Sequence, residues 1–276
     1  MKKLFLFSAF VVMTGLYSCG TERFIYSASP PNNPYFTKKG ESKLTAYYSS
    51  NNSNSDTHAG ELAGGWDLQG AYALSDHVAL TASYFNRREE DLYGSGYQSP
   101  FDSSVVKYKR NLFGMGAGYF IPLNKRKTIY FNFYGGMDFG QFSFEDNGTD
   151  NIGQNYNRYH RSNITKWYFQ PSFNFIKRNF RMSIIFKSSY VHYGNIKTSY
   201  TPLESQDFSL DILKNQTVHF FEPAWNFQFG LPRLPWIKLD LTFSGASTSE
   251  IFNESVRQNN TSVGLSFDFS KMKVKK

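Results

Sequence analysis

The chain has 276 residues, of which 40% are apolar and 18% aromatic, with a formal net charge of +8 and a mean hydropathy of −0.47. That hydropathy excludes a helical membrane protein with several spans, because no run of about 18 apolar residues follows residue 15. The single cysteine, Cys19, excludes an intramolecular disulfide.

A chain that is polar on average yet carries 28 Phe and 19 Tyr fits a transmembrane barrel, in which only alternate residues face lipid. A soluble β-sandwich shares that composition. The first residues favour export. Met1-Lys2-Lys3 is a charged start, Leu4 to Gly15 is apolar, and Leu16-Tyr17-Ser18-Cys19 follows at once. This is the layout of a secretory signal and it resembles a bacterial lipobox. On that reading residues 1–18 are removed and Cys19 is acylated, palmitate being one such acyl group. Residues 19–40 are expected to be a lipidated linker, since Pro30, Pro31 and Pro34 with Asn32 and Asn33 rule out a regular element.

From Glu41 the pattern has period two. Val78, Leu80, Ala82 and Tyr84 alternate with Ala79, Thr81 and Ser83. The same holds for Ile129, Phe131, Phe133, Met137 and Phe139, for Ile237, Leu239, Leu241 and Phe243, and for Val263, Leu265, Phe267 and Phe269. These are strands with one apolar face. Ten are predicted, near 41–49, 65–74, 77–87, 105–121, 127–144, 158–176, 179–196, 217–229, 235–246 and 260–270. Long links (50–64, 88–104, 145–157, 197–216, 247–259) alternate strictly with short ones, as external loops and periplasmic turns do in outer-membrane barrels. The expected fold is therefore all-β: a closed antiparallel transmembrane barrel over 41–270, with a basic tail at 271–276. Both termini fall on the short-turn side, so a lipid on Cys19 in the periplasmic leaflet needs no threading through the barrel. Phe169-Gln170-Pro171-Ser172-Phe173-Asn174-Phe175 and Phe221-Glu222-Pro223-Ala224-Trp225-Asn226-Phe227 share a proline motif. It reads as a matched bulge or kink, or as a partner-docking face.

If the apolar face meets lipid, the lumen receives Asp67, Gln69, Tyr130, Asn132, Tyr134, Asp138, Gln170, Asn174, Lys187, Glu222, Asn226, Lys238, Asp240 and Asp268. A ten-stranded barrel is narrow, so these charges must pair. Lys187–Glu222 and Lys238–Asp268 are the expected pairs. Gly114, Gly116 and Gly118 are expected to leave room for a pocket. Charge is polarised as well. Lys125, Arg126, Lys127, Lys177, Arg178, Arg181, Arg233 and Lys271 fall on the short-turn side, while acids such as Glu89, Glu90, Asp91, Glu145 and Asp146 fall in the long loops. The basic rim suits anionic lipid headgroups or an acidic periplasmic partner; the exported context argues against nucleic acid.

No nucleophile elbow, zinc or phosphate-loop motif is present. His160, His192 and His219 lie near the external ends of three strands, but by alternation only His160 faces in, so no metal site or cofactor is expected. Ser162 shares the face of His160 on the same strand, which is a weak arrangement for catalysis. His77 stands beside a short turn, and His58 is in a loop.

Two blocks carry a resemblance: Tyr26 to Glu41, with Pro-Asn-Asn-Pro and Lys39-Gly40-Glu41, and Asp67 to His77. With the lipobox they resemble a family of Bacteroidota outer-membrane β-barrel lipoproteins. The match covers mainly the first third of the chain. It implies fold and localisation but no activity, so no functional residue carries over. One departure is the C-terminus, where Phe269 is followed by Ser270 and a basic tail instead of ending the chain. The function expected is a non-enzymatic accessory or scaffold subunit of a larger outer-membrane complex, with outer-membrane lipids and other proteins as partners. A narrow pore or solute-binding barrel and a lipid-modifying enzyme are the alternatives.

Overall fold

The structure, a computed structural model, describes residues 23–51, 62–94, 103–150, 152–214, 216–231, 233–248 and 255–271. Cys19, His58 and residues 272–276 lie outside them. Ten antiparallel strands close into a barrel: β2 (Ser42–Ser50), β3 (Leu62–Ala73), β4 (Val78–Gly94), β5 (Ser103–Pro122), β6 (Ile129–Thr149), β7 (Asn155–Ile176), β8 (Phe180–Thr198), β9 (Thr217–Leu231), β10 (Leu234–Gly245) and β12 (Asn259–Asp268). Neighbours in sequence are neighbours in the wall, and β12 pairs with β2 to seal it. Two short strands, β1 (Tyr26–Ser27) and β11 (Val256–Arg257), pair in parallel apart from the wall.

The apolar set of each strand faces outward. Trp66, Leu80, Tyr84, Phe113, Met115, Phe133, Phe139, Trp167, Phe173, Trp225, Phe243 and Leu265 are all exposed. Hiding one such side chain from water is worth about 1.5–3 kcal/mol, so a continuous belt of them on a closed barrel requires lipid around it. This is the architecture of an outer-membrane barrel.

The wall is taller than the period-two pattern suggested. β4 continues to Gly94, β5 starts at Ser103, and β6 and β7 meet across 150–154. That link is shorter than the turn at 123–128, so the expected strict alternation of long and short connections does not hold. Above the belt the outward side chains become polar, such as Gln141, Ser143 and Glu145 on β6. In sequence the strand was expected to end at 144, so Glu145 read as a loop residue. The link at 199–216 also gains structure. It holds a short helix, α1 (Pro202–Asp207), started by a capping box between Thr201 and Glu204.

Pro171 and Pro223 do not mark a bulge. The register of β7 against β8 is the same on both sides of Pro171, and Pro223 pairs directly with Phe186. The two prolines flank Phe186 in one row across the outer wall, and the β7–β8 ladder skips Gln170 and Pro171 without losing register.

The N-terminal segment departs most from expectation. Residues 23–41 are not a linker outside the barrel. They run through the lumen from the long-loop end, where Arg23 pairs with Asp146 near the top of β6, to the short-turn end, where the Lys39 amide donates to Asp76. β2 begins and β12 ends at the short-turn end, as expected, but the described amino end lies at the opposite one.

Candidate functional site

Among the described residues, buried polar chemistry gathers in the lumen. Every residue assigned to it from the sequence faces in and is buried. Lys187 Nζ lies 3.8 Å from Glu222 Oε2, directly opposite in the register. A nearer cation, Lys166, stands 3.1 Å from the same carboxylate and 4.0 Å from Asp138. Lys238 reaches Asp268 at 2.7 Å, and Arg181 reaches the same oxygen at 2.8 Å. Arg181 thus turns inward, away from the basic rim where the sequence put it. Asp240 accepts from Asn226, Gln228 and Ser266, with Lys43 at 3.7 Å. Asp67 accepts from Ser49 at 2.6 Å and faces Arg87 at 3.7 Å.

The N-terminal segment fills the space between these walls. Pro30, Pro31 and Pro34 bring no backbone N–H that would need a partner there. Their neighbours are tied to the wall. Gln69 donates to the Pro30 carbonyl at 2.7 Å, and Gln170 donates to the Asn32 carbonyl at 3.1 Å. Asn33 donates to Asn174 at 2.6 Å and accepts from Asn132 at 3.2 Å. The Tyr35 hydroxyl donates to Asn226 at 2.7 Å.

Higher up, the contacts change in kind. Phe24, Ile25 and Tyr26 enter an apolar cluster with Phe85, Val106, Tyr108, Phe142, Phe144, Val191, Tyr193, Val218 and Phe220, roofed by Leu210 and Leu213. Tyr26 stacks on Phe220 with ring centroids 3.9 Å apart, and its hydroxyl accepts from Lys166 at 2.5 Å. Glu89 binds Arg110 at 2.5 Å, Ser27 at 2.6 Å and Arg257 at 3.0 Å; Arg257 also holds Asp91. Arg23 lies over the rings of Tyr93 and Phe208. Glu89, Asp91 and Asp146 are therefore not loop acids. They sit on strands that rise above the belt and point inward.

Two small voids lie among the described residues. A void of about 30 Å³ lies beside Ser29 and Pro30, lined by Asp67, Gln69, Asp138 and Lys187. It is large enough for water and too small for a solute. A smaller one, about 10 Å³, lies near Glu41 and Asp268. The three glycines of β5 do not leave a pocket. A Cβ at Gly114 would meet Asp138 at 2.2 Å, at Gly116 the Tyr168 hydroxyl at 2.7 Å, and at Gly118 the Tyr134 ring at 2.2 Å. They admit side chains from neighbouring strands.

Lys125, Arg126, Lys127, Lys177, Arg178 and Arg233 are exposed together at the short-turn end, and Lys38 and Lys39 join them where the segment leaves the lumen. His160 is buried with neither ring nitrogen bonded, stacked on Phe144. His192 and His219 face out, and among the described residues no three His, Cys, Asp or Glu gather as a metal site. His77 bonds the Phe120 carbonyl at 3.2 Å beside its turn. One pair was missed from sequence. On the outer wall, Ser188 Oγ lies 2.7 Å from His219 Nε2, with Tyr190 against the imidazole. It is a diagonal contact between β8 and β9, which strand periodicity alone does not reveal. No carboxylate or amide orients His219 among the described residues.

No protein-family model matches the chain, and no curated protein matches it. Solved structures similar to it are outer-membrane barrels. The NanC porin is 12% identical, with a TM-score of 0.37, covering 82% of this chain and 98% of that one. The outer-membrane protease OmpT from Escherichia coli is 12% identical, with a TM-score of 0.42, covering 83% and 94%. OprB of Pseudomonas putida is 10% identical, with a TM-score of 0.29, covering 83% and 92%. At such identities and scores no activity transfers to this chain.

Proposed function

We propose that the chain is an outer-membrane lipoprotein, anchored through Cys19, whose sealed barrel is a non-enzymatic accessory or scaffold subunit of a larger outer-membrane complex. The observation that carries this reading is the lumen filled along its length by residues 23–41. A barrel that spends its interior on its own chain has its outer wall and two rims left for work. The exposed basic rim, with Lys125, Arg126, Lys177, Arg178 and Arg233, suits anionic headgroups or an acidic partner at the short-turn end. Affinity purification from native membranes in a gentle detergent tests the reading. Stoichiometric partner proteins are expected, and recovery of this chain alone would count against it.

A second reading, a lipid-modifying enzyme, draws on the Ser188–His219 pair at the upper edge of the apolar belt. Hydroxyl and imidazole within hydrogen-bond reach are the core of acyl-transfer chemistry, but such sites also need a group that orients the imidazole. The plainer account is that two polar side chains at a lipid boundary satisfy each other. Mass spectrometry of lipid A and phospholipids from a deletion strain decides between them; unchanged lipids remove the enzyme.

A further inference from the structure

The direction in which residues 23–41 cross the lumen limits the side on which Cys19 can emerge. Its amino end is held at the long-loop end by independent contacts. Arg23 pairs with Asp146 at 2.7 Å, and the Tyr200 hydroxyl donates to the same oxygen at 2.7 Å. The Ile25 amide donates to the Ser255 carbonyl at 2.9 Å, the Arg110 guanidinium to the Phe24 carbonyl at 2.5 Å, and the Tyr193 hydroxyl to the Ile25 carbonyl at 3.0 Å. Along β6 the inward positions from Tyr130 up to Asp146 cover roughly 40 Å of barrel height, at ~3.3 Å per residue and a strand tilt near ~40°. The chain between Cys19 and Arg23 can span at most about 14 Å. It cannot return to the short-turn end, and the lumen it would have to descend is already full.

We propose that the segment is threaded outward, so that Cys19 emerges on the long-loop, external side of the membrane and its acyl chains enter the outer leaflet instead of the periplasmic one. The lipid rests on the lipoprotein reading above; the emergence side rests on the lumen contacts alone. The wall offers a way to lipid there. β10 ends at Gly245, two positions beyond the outward Phe243, and β2 ends at Ser50, two beyond the outward Tyr48. There the outward apolar residues reach to within two positions of the strand ends, and Tyr26 and Ser27 of the segment pair with β11, which leads into β12. Acyl chains on the external side also act as a stopper. With β12 sealed to β2, the segment cannot slide back unless its lipid passes through a filled lumen.

The test uses the full chain in its own membrane. An epitope inserted between Gly20 and Thr21 is exposed to proteinase K on intact cells and on cells with a permeabilised outer membrane, with a second epitope after Lys276 as the control for the opposite face. Threading predicts that intact cells lose the first epitope and keep the second. Loss of the first only after permeabilisation, or in neither case, overturns the inference. Should the insertion prevent assembly, Glu22→Cys replaces it. Labelling of that thiol by a membrane-impermeant maleimide on intact cells is expected, and labelling that requires permeabilisation is the contrary result. The mass of the amino-terminal peptide reports acylation separately. An unmodified Cys19 with a shaved epitope would sink the lipid reading and leave the threading standing.

Discussion

The lumen has two halves built on opposite rules. Within the apolar belt its walls are mostly amides, hydroxyls and ion pairs, among them Asn132, Asn174, Gln170, Asn226, Gln228, Asp240 and Lys238, with one small apolar cluster of Phe36, Ala73, Ala79, Phe120, Tyr130 and Tyr134 toward the short-turn mouth. Above the belt the same face of the same strands carries Phe142, Phe144, Tyr108, Val106, Val191, Tyr193 and Phe220. On β6 the change is visible within a few residues, from outward Phe133 and Phe139 to inward Phe142 and Phe144. The backbone alternation does not change; what lies outside the wall does. Where lipid surrounds the barrel, apolar side chains go outward and polar ones are left to fill the inside. Where water surrounds it, the barrel reverts to the ordinary preference for an apolar core. The threaded segment follows both rules, with Phe24, Ile25 and Tyr26 in the upper half and Asn32, Asn33 and Tyr35 in the lower.

That contrast can be broken at its most highly charged point first. Glu89 serves Arg110, Arg257 and Ser27 in a fully buried position. Glu89→Ala takes from Arg110 its carboxylate and leaves Arg257 with Asp91; it is expected to cost about 3–5 kcal/mol, read as a lowered urea midpoint of the heat-modifiable band in detergent. Asp268→Ala removes an equivalent carboxylate at the lower mouth, where a water-sized void adjoins it. The loss there should be smaller, and equal losses would deny that the upper half is the drier one. In the upper core, Tyr26→Ala removes the stack on Phe220 and the acceptor for Lys166, for about 3–5 kcal/mol. Tyr26→Phe should lose only about 1–2 kcal/mol, because Lys166 keeps Glu222.

The outer wall gives the sharpest paired test. Phe133→Arg places a charge within the belt and should cost about 2–4 kcal/mol, whereas Ser143→Arg, on the same face of β6 above the belt, should cost about 0–1 kcal/mol. Folding efficiency into vesicles separates them, and similar effects would move the boundary between the halves. Gly118→Ala should have a modest effect, about 1–3 kcal/mol, because its Cβ meets the Tyr134 ring and Phe133 carbonyl. A neutral result there would return space to the lumen that the structure fills.

The belt was legible in the sequence because lipid-facing alternation is local: Val78 to Tyr84 or Ile129 to Phe139 shows it without help. The ten strands, their facing and the Lys187–Glu222 pair follow from that periodicity. The tops of the strands were not legible. There the phase of apolar residues inverts, and Glu89, Asp91 and Asp146 look like loop acids unless the inward Tyr93, Phe142 and Phe144 are read with them. The threaded segment was hidden for another reason. Its prolines and asparagines mark the lack of a regular element correctly, but what satisfies them is non-local, on β3, β6, β7 and β9. Phe24, Ile25, Tyr26, Tyr35 and Phe36 were the available signal, since so many large apolar side chains do not suit a solvated tether.

The chain seals its own barrel with residues 23–41. Single-channel recording in planar bilayers tests it most directly, comparing the intact protein with a form lacking residues 24–36. A silent intact barrel is expected, with steady conductance once the segment is removed. Conductance by the intact protein, or silence from both forms in verified folded samples, would contradict it.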